Sequence, residues 1–226
     1  MDCVILAGGR GKRLNPITEE IPKPLIEVND KKLIEYLLEI VYSRFDKIII
    51  VIDYLGGLIY HYLINSAYAD KIIFVKQNPK IKGTMGALIS AKDLIETDFL
   101  VICSDNIFNC DDIDKLIEKP NSFLIINVTP EEKDNKYKDA KFSLIKHSNL
   151  NYLEAGAWYL SKDFINKEPV LVNGSNEFGI PHTIFLDYKI NPSKYNIVYT
   201  ADWLPVGTFW ELNKAKDVLK TGAKKG

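Results

Sequence analysis

The sequence predicts an α/β fold: a parallel sheet covered by helices on both faces. Three observations predict it. Near-continuous Val/Ile/Leu runs recur at CVILA (3–7), KIIIVID (47–53), KIIFVK (71–76) and DFLVIC (98–103). Segments with apolar residues at helical spacing separate them. Two of the runs end in turn-forming sequences, LAGGRG and SDN. Strands buried on both faces lose the alternation of a half-solvated sheet, and helical crossovers are what cover both faces.

The elements follow in order. After the first strand, residues 31–44 place Leu33, Ile34, Leu37, Leu38 and Val41 on one stripe, with Glu35, Glu39 and Arg44 off it, so a helix is expected there. The run 47–53 is the second strand, and LIYHYLINS (58–66) the next helix. The run 71–76 is the third strand, TMGALISAKDLIE (84–96) a further helix, and 98–103 the fourth strand. Right-handed crossovers place the loops after these strands on one edge, so LAGGRG and SDN share it. Beyond residue 120 the rhythm changes. FLIINV (123–128) continues the sheet, EEKDNKYKDAK (131–141) reads as a solvated loop, and FSLIKH and LEAGAWYLS read as strands. A helix is expected after Pro181, a strand in YNIVYT, a C-terminal helix in FWELNKAKDVLK, and a frayed tail in GAKKG.

Composition narrows the classes. The 226 residues are 46% hydrophobic and 26% charged, enough for one sizeable core. We read residues 1–226 as a single domain in two parts, 1–120 and 121–226, divided where the rhythm changes. A net charge of −1 gives no overall field toward nucleic acid or membrane. No apolar run approaches the ~18 residues of a membrane span, and no basic region precedes the first strand, so neither a span nor a leader is expected. Cys3, Cys103 and Cys110 lack metal-site spacing, and a reducing cytoplasm suits them.

The chemistry concentrates in LAGGRGKRLNPITEEIPKPL, residues 6–25. It is no Walker A loop, because Arg13 follows Lys12, and no dinucleotide fingerprint, because the third glycine is missing. What remains is a glycine-rich turn after a strand. Gly8, Gly9 and Gly11 let backbone N–H groups converge on an anion. Lys12, Arg13 and Lys23 add positive charge, and Pro22 and Pro24 stiffen the backbone around Lys23. For GGRGKR alone, a surface turn with solvated lysines is the competing reading.

Taken whole, the stretch resembles the signature of the sugar-phosphate nucleotidylyltransferases: Leu-Ala-Gly-Gly-x-Gly-Thr-Arg-Leu-x-Pro-x-Thr, then Pro-Lys-Pro-Leu. Lys12 departs, standing where Thr or Ser is usual. QNPKIKGTMGALISAKD (77–93) resembles the family's base-binding segment, SDNIF (104–108) its (Gly/Ser)-Asp-Asn-Ile-Phe, and ADWLPVGTFWEL (201–212) its Trp-x-Asp-x-Gly-Thr. The resemblance implies a Rossmann-like mixed, mainly parallel sheet in a compact member of the family, with 1–120 as the nucleotide-binding part and 121–226 as the acceptor-binding part and C-terminal helix.

It also implies a reaction. An acceptor phosphate attacks the α-phosphorus of a nucleoside triphosphate in line, and pyrophosphate leaves. By the resemblance, Leu6, Ala7, Gly8, Gly9, Gly11, Lys12, Ser104 and Asp105 bind the nucleotide, Arg13 neutralises the leaving phosphates, and Lys23 stabilises the transition state. Asp105 holds Mg²⁺. The family's second metal carboxylate falls on Pro205, so three readings stay open: Asp105 with phosphates and water, Asp202 as a substitute, or a nucleotide binder with little or no turnover. Gln77 with Gly83 and Thr84 reads the base, and glutamine suits a pyrimidine edge such as that of UTP or dTTP, with CTP open. Asn106, Glu154 and Gly156 are acceptor-binding candidates, with Lys146, His147 and His182 as further polar groups and Trp158, Trp203 and Trp210 as core or cleft wall. The expected acceptor is a sugar 1-phosphate. A choline-phosphate-like acceptor of a cytidylyltransferase and a catalytically weak regulatory homologue are the alternatives. Nucleic acid and membrane are not expected partners, and homo-oligomerisation is left open.

Overall fold

The structure is a computed structural model that describes residues 1–128, 146–147 and 150–222. The charged stretch 131–141, most of FSLIKH and most of the tail lie outside the described residues.

The main sheet contains β1 (Asp2–Leu6), β4 (Lys47–Ile52), β5 (Ile72–Lys76), β6 (Phe99–Cys103), β8 (Ser122–Val128), β10 (Leu150–Leu160) and β11 (Asn196–Tyr199), in the order β11-β8-β10-β6-β1-β4-β5. A short β9 (Lys146–His147) pairs with β10. The first strand is central and parallel to both neighbours, with Ile5 opposite Ile50 on one side and Ile102 on the other. Only β10 opposes its neighbours β6 and β8, and β11 is again parallel to β8. The sheet is therefore mixed and mainly parallel, as expected.

Helices cover both faces. Successive strand side chains point to opposite faces, so Ile5, Ile50 and Ile102 enter one core and Leu6, Val51 and Val101 the other. On the first face lie α2 (Leu33–Val41), α3 (Gly56–Leu63) and α5 (Cys110–Leu116), through Leu37, Leu38, Ile59, Leu63, Ile113 and Leu116. On the second lie α4 (Gly83–Ser90) and α6 (Ile180–Ile190), through Met85, Leu88, Ile180 and Ile184. A third, smaller core joins α7 (Phe209–Gly222) to the opening stretch: Leu212 and Ala215 pack with Leu14, Ile26, Leu33 and Val206. Burying the C-terminal helix against residues 14–33 is what brings the two ends of the chain together.

Several boundaries differ from the sequence reading. The helix expected over 31–44 begins at Leu33, because Lys31–Lys32 form β3, paired with β2 (Glu27–Val28). Asn29 and Asp30 make that turn with φ of 49° and 63°, a left-handed pair that small polar side chains tolerate. The helix expected over 84–96 stops at Ser90 and continues as a 3₁₀ turn over Lys92–Leu94. The sequence reading passed over α5, although Asn109 caps it by accepting the Asp111 N–H at 2.9 Å. It also passed over the pairing of β7 (Asn106–Ile107) with β12 (Leu204–Pro205).

Topology positions the site. The chain leaves β1 for β4 on one side, and later crosses to β6 on the other. The loops after β1 and β6 therefore diverge, and the crevice between them is the switch point where open α/β sheets receive ligands.

Candidate functional site

The crevice is built from the strand ends outward. Ala7 extends the β1 ladder by donating to the Val51 carbonyl at 2.8 Å, and Ser104 extends β6 by donating to the Leu6 carbonyl at 3.1 Å. Ser104 is buried. Beyond Ala7 the loop turns outward. A Cβ at Gly8 would lie 3.0 Å from Asp53 Cβ and 3.1 Å from Gln77 Oε1, so only glycine lets the backbone pass so close to the ends of β4 and β5. A Cβ at Gly9 would meet nothing within 4 Å, so its backbone faces open space.

Gly11 turns the loop back. Its φ is +62°, and a Cβ there would stand 2.9 Å from Thr18 Cγ2. The Thr18 hydroxyl lies 3.0 Å from the Gly11 carbonyl and 2.7 Å from Asn15 Oδ1, tying residues 11–18 into a compact knot. The short α1 (Ile17–Glu20) and the 3₁₀ turn Lys23–Leu25 follow. Lys12 and Arg13 remain exposed. The Arg13 guanidinium passes Gly207, where an added Cβ would lie 2.8 Å from Nη2. The C-terminal motif thus meets the opening loop through a glycine that leaves room for an arginine. Thr208 and Glu211 fix that glycine: the Gly207 N–H donates to Glu211 Oε2 at 2.8 Å, and the Glu211 N–H donates to Thr208 Oγ1 at 3.2 Å. This is a helix N-terminal cap whose carboxylate also holds the preceding turn.

Lys23 and Asp105 meet in the crevice. Lys23 Nζ donates to Asp105 Oδ2 at 2.6 Å, with the lysine side chain 9% and the aspartate 38% exposed. Burial alone pushes the Asp105 carboxyl up. The Lys23 charge and hydrogen bond outweigh it, with help from its own backbone amide and Arg13, and hold it below the usual carboxylate range. Asp105 Oδ1 accepts from Asn106 Nδ2 at 2.9 Å. Asn106 is buried, and its Oδ1 accepts from Trp203 Nε1 at 2.9 Å.

The acceptor-side candidates lie next to this group. Gly156, at φ +77° in the irregular part of β10, approaches Asn106: a Cβ there would stand 3.0 Å from Nδ2 and 3.5 Å from Cys103 Sγ. Glu154 accepts from Trp158 Nε1 at 3.2 Å through Oε1, while its Oε2 is buried without a hydrogen-bond partner. Burial pushes the Glu154 carboxyl up to about 8, against the lowering effect of the Trp158 hydrogen bond.

On the base side, Gln77 Nε2 donates to the Ile81 carbonyl at 3.3 Å and its Oε1 faces Gly8. Gly83 and Gly86 are steric necessities. Added Cβ atoms would lie 2.3 Å from the Phe178 carbonyl oxygen and 2.1 Å from that of Ile81. The Thr84 hydroxyl is spent on structure, accepting the Ile180 N–H at 3.0 Å.

Other candidates fall elsewhere. Asp202 is exposed and accepts from Asn109 Nδ2 at 3.3 Å, its hydrogen bond running to the cap of α5 rather than to Asp105. Pro205 pairs with Asn106 across β12 and β7, so the position that carries a carboxylate in the resembling pattern does adjoin Asp105, but bears a pyrrolidine ring. His182 sits at the start of α6 beside Gly179. The side chains of Lys146 and His147 lie outside the described residues. Trp158 is core, and Trp203 bonds into the site. Trp210 is 56% exposed with Lys214 over its ring at 5.4 Å, so of the two expectations for it, core and cleft wall, the core one is corrected. It faces outward because α7 turns Leu212 and Ala215 inward. Trp203, expected in the core or cleft wall, bonds to Asn106, whereas nothing local in the sequence marks Asp53 and Glu211, which only folding brings beside residues 8–13.

Residues 2–138 match the family described as Nucleotidyl transferase. The chain belongs to that family. The nucleotidyl transferase residues so matched include every glycine of the opening loop, Lys23 and Asp105. The bifunctional protein GlmU of Methanocaldococcus jannaschii is 30% identical over 231 residues, covering 97% of this chain and 54% of that protein. The D-glycero-alpha-D-manno-heptose 1-phosphate guanylyltransferase of Aneurinibacillus thermoaerophilus is 26% identical over 97% of this chain and 99% of its own. This nucleotidyl transferase therefore spans about half the length of the GlmU relative and nearly all of the guanylyltransferase. A UDP-glucose pyrophosphorylase solved with UDP-glucose superposes with a TM-score of 0.79 at 19% identity, covering 98% of both chains. That likeness shows the fold. Among the described residues no helix is long and apolar enough to cross a membrane.

Proposed function

We propose that this nucleotidyl transferase joins a pyrimidine nucleoside triphosphate to a sugar 1-phosphate and releases pyrophosphate. One observation carries the reading: the switch-point crevice gathers the glycine loop, Arg13 and Lys23 from residues 6–25 and Asp105 from the end of β6 at one sheet edge. Relatives named for uridylyl transfer to glucose 1-phosphate and guanylyl transfer to a heptose 1-phosphate support the acceptor class.

Each residue has a task in such a reaction. The amides of the Gly8–Gly11 loop cradle the triphosphate, with Gly9 open to it. Arg13, exposed at the loop end, neutralises the leaving phosphates. Lys23, held in place by one N–H donated to Asp105, offers its two remaining donors where charge develops between the α-phosphate and the attacking oxygen. No covalent intermediate is required, so placing two anions accounts for most of the rate. Gln77, with Oε1 toward Gly8, stands where the base enters and can pair with a pyrimidine edge. Glu154, with one oxygen unpartnered, reads a hydroxyl on the acceptor, and Gly156 gives that acceptor close access.

The residues suit Mg²⁺. Asp105 is an ionised, partly exposed carboxylate, and Mg²⁺ is commonly held by one or two carboxylates together with substrate phosphates. Among the described residues no cluster of three or more His, Cys, Asp or Glu is assembled for a metal, which accords with an ion completed by phosphates and water. Bound there, the ion would neutralise phosphate charge. We further place the protein in a reducing cytoplasm, on its three free cysteines, and its product in the supply of a surface glycan.

The test is pyrophosphate release from UTP, dTTP, CTP, GTP and ATP with a panel of sugar 1-phosphates and with phosphocholine. A pyrimidine and a sugar phosphate should lead, and Lys23→Ala should cut turnover by roughly 10²–10³ with little loss of nucleotide affinity. Unchanged turnover in Lys23→Ala sinks the assignment of Lys23. Activity with phosphocholine alone replaces the acceptor class.

A further inference from the structure

Three hydrogen bonds run in a line from the C-terminal motif to the crevice lysine. Trp203 Nε1 donates to Asn106 Oδ1 at 2.9 Å, Asn106 Nδ2 donates to Asp105 Oδ1 at 2.9 Å, and Lys23 Nζ donates to Asp105 Oδ2 at 2.6 Å. The line joins four residues that lie in three distant stretches of the sequence.

The direction of each bond is forced by chemistry. An indole N–H can only donate, so the Asn106 amide must turn its oxygen to Trp203. That leaves the amide nitrogen facing Asp105, which as a carboxylate can only accept. With Oδ1 so engaged, Oδ2 is the oxygen left for Lys23. Asn106 is 5% exposed, so water does not readily replace a lost partner. The backbone holds the same register: Pro205 pairs with Asn106, and the Val206 N–H donates to the Asp105 carbonyl at 2.8 Å.

We propose that Trp203 is a positioning residue: through Asn106 it sets the plane of the Asp105 carboxylate, and through that carboxylate it aims the Lys23 ammonium into the crevice. The inference deepens the function proposed above, since it gives Lys23 its aim, yet its geometry stands without that function. It also gives the Trp of ADWLPVGT a part that does not depend on a carboxylate at Pro205.

The experiment reads Lys23 directly. The intact protein is treated with a limiting N-hydroxysuccinimide acetate, and acetylation of each lysine is followed by peptide mass spectrometry. Lys71 is the internal reference, because its Nζ is tied to the carbonyls of Tyr42 and Phe45 at 2.8 and 3.0 Å, away from the crevice. Trp203→Phe keeps an aromatic ring and removes only the donor. It should raise Lys23 acetylation about fivefold relative to Lys71, the factor expected for one lost hydrogen bond. Asn106→Leu should do at least as much, and the double variant no more than Asn106→Leu alone, because the two act in series. An unchanged Lys23 rate, a rise shared by Lys71, or additive effects in the double variant would each overturn the proposal. In turnover assays Trp203→Phe should lower kcat with the nucleotide KM little changed, whereas equal loss through KM alone counts against positioning. If the wild-type chain turns over no triphosphate, the proposed function falls, and the acetylation pattern still decides the relay.

Discussion

Glu154 shows how one residue can oppose stability at a site. Its carboxyl has a pKa of about 8 in the folded chain against an ordinary 4.5, because burial disfavours its charge. Between those values the native state keeps a proton that the unfolded chain has released. Unfolding free energy therefore falls as pH rises through that window, and the penalty is fully present above it. Glu154→Gln should flatten this slope and raise stability at pH 8 by about 4 kcal/mol, measured by urea unfolding at pH 5 to 8. An unaltered slope would show that Glu154 is not the group responsible. Pro205 is the second residue whose identity matters alone. Pro205→Asp places a carboxylate across from Asn106, beside Asp105. It should make the triphosphate-induced rise in melting temperature saturate at lower Mg²⁺, while the crowding of two carboxylates lowers the melting temperature of the unliganded protein. If the Mg²⁺ midpoint stays put, the position is out of reach of the ion.

The elements hold the base-side wall by backbone contact more than by side chains. The first turn of α4 fits against residues 177–180: the Met85 N–H donates to the Phe178 carbonyl at 3.0 Å, the Phe178 N–H to that of Lys82 at 2.8 Å, and Thr84 caps α6. Gly86 lets the Ile81 carbonyl lie against the helix at a distance no Cβ tolerates. Gly86→Ala should cost about 2–4 kcal/mol, visible as a lower denaturation midpoint, because carbonyl and helix cannot both stay. A loss within about 0.5 kcal/mol would mean that the loop 77–82 yields freely. Glycines in GTMGALIS were legible in the sequence, but their reason was not: what they avoid is a carbonyl at residue 81 and a chain segment almost a hundred residues away. The same limit hid β7 and β12. Two-residue strands carry no periodicity, and their pairing exists only because α7 is buried against the opening stretch.

At the scale of the whole molecule, the binding of a triphosphate stabilises the native state by mass action. A clear rise in melting temperature is expected with one pyrimidine triphosphate and Mg²⁺, about 2.7 kcal/mol of stabilisation at a hundredfold excess over Kd. On the proposed Mg²⁺ role, chelating the metal with EDTA should reduce that rise, since Asp105 and the phosphates would then have no cation to share. No shift with any of the five triphosphates would undermine the reading of residues 6–25. The two ends of the chain contribute to one site, Arg13 beside Gly207 and Trp203 within the Asp105 group, so a chain cut before residue 200 should lose this response.

The sequence by itself determined the sheet and the loop. The apolar runs 3–7, 47–53, 71–76 and 98–103 read as parallel strands between helices, and the spacing of Gly8, Gly9, Gly11, Arg13 and Lys23 already described a glycine-rich basic turn after a strand. Both are local signals, written in neighbouring residues. Only the tertiary structure decided that β10 enters antiparallel between β6 and β8, that Thr84 is spent as a cap, and that Trp203 reaches Asn106. Each of those depends on a partner far away in the chain. Strand order and side-chain hydrogen bonds are settled by which distant surfaces pack together, and no period or motif in the sequence records that choice.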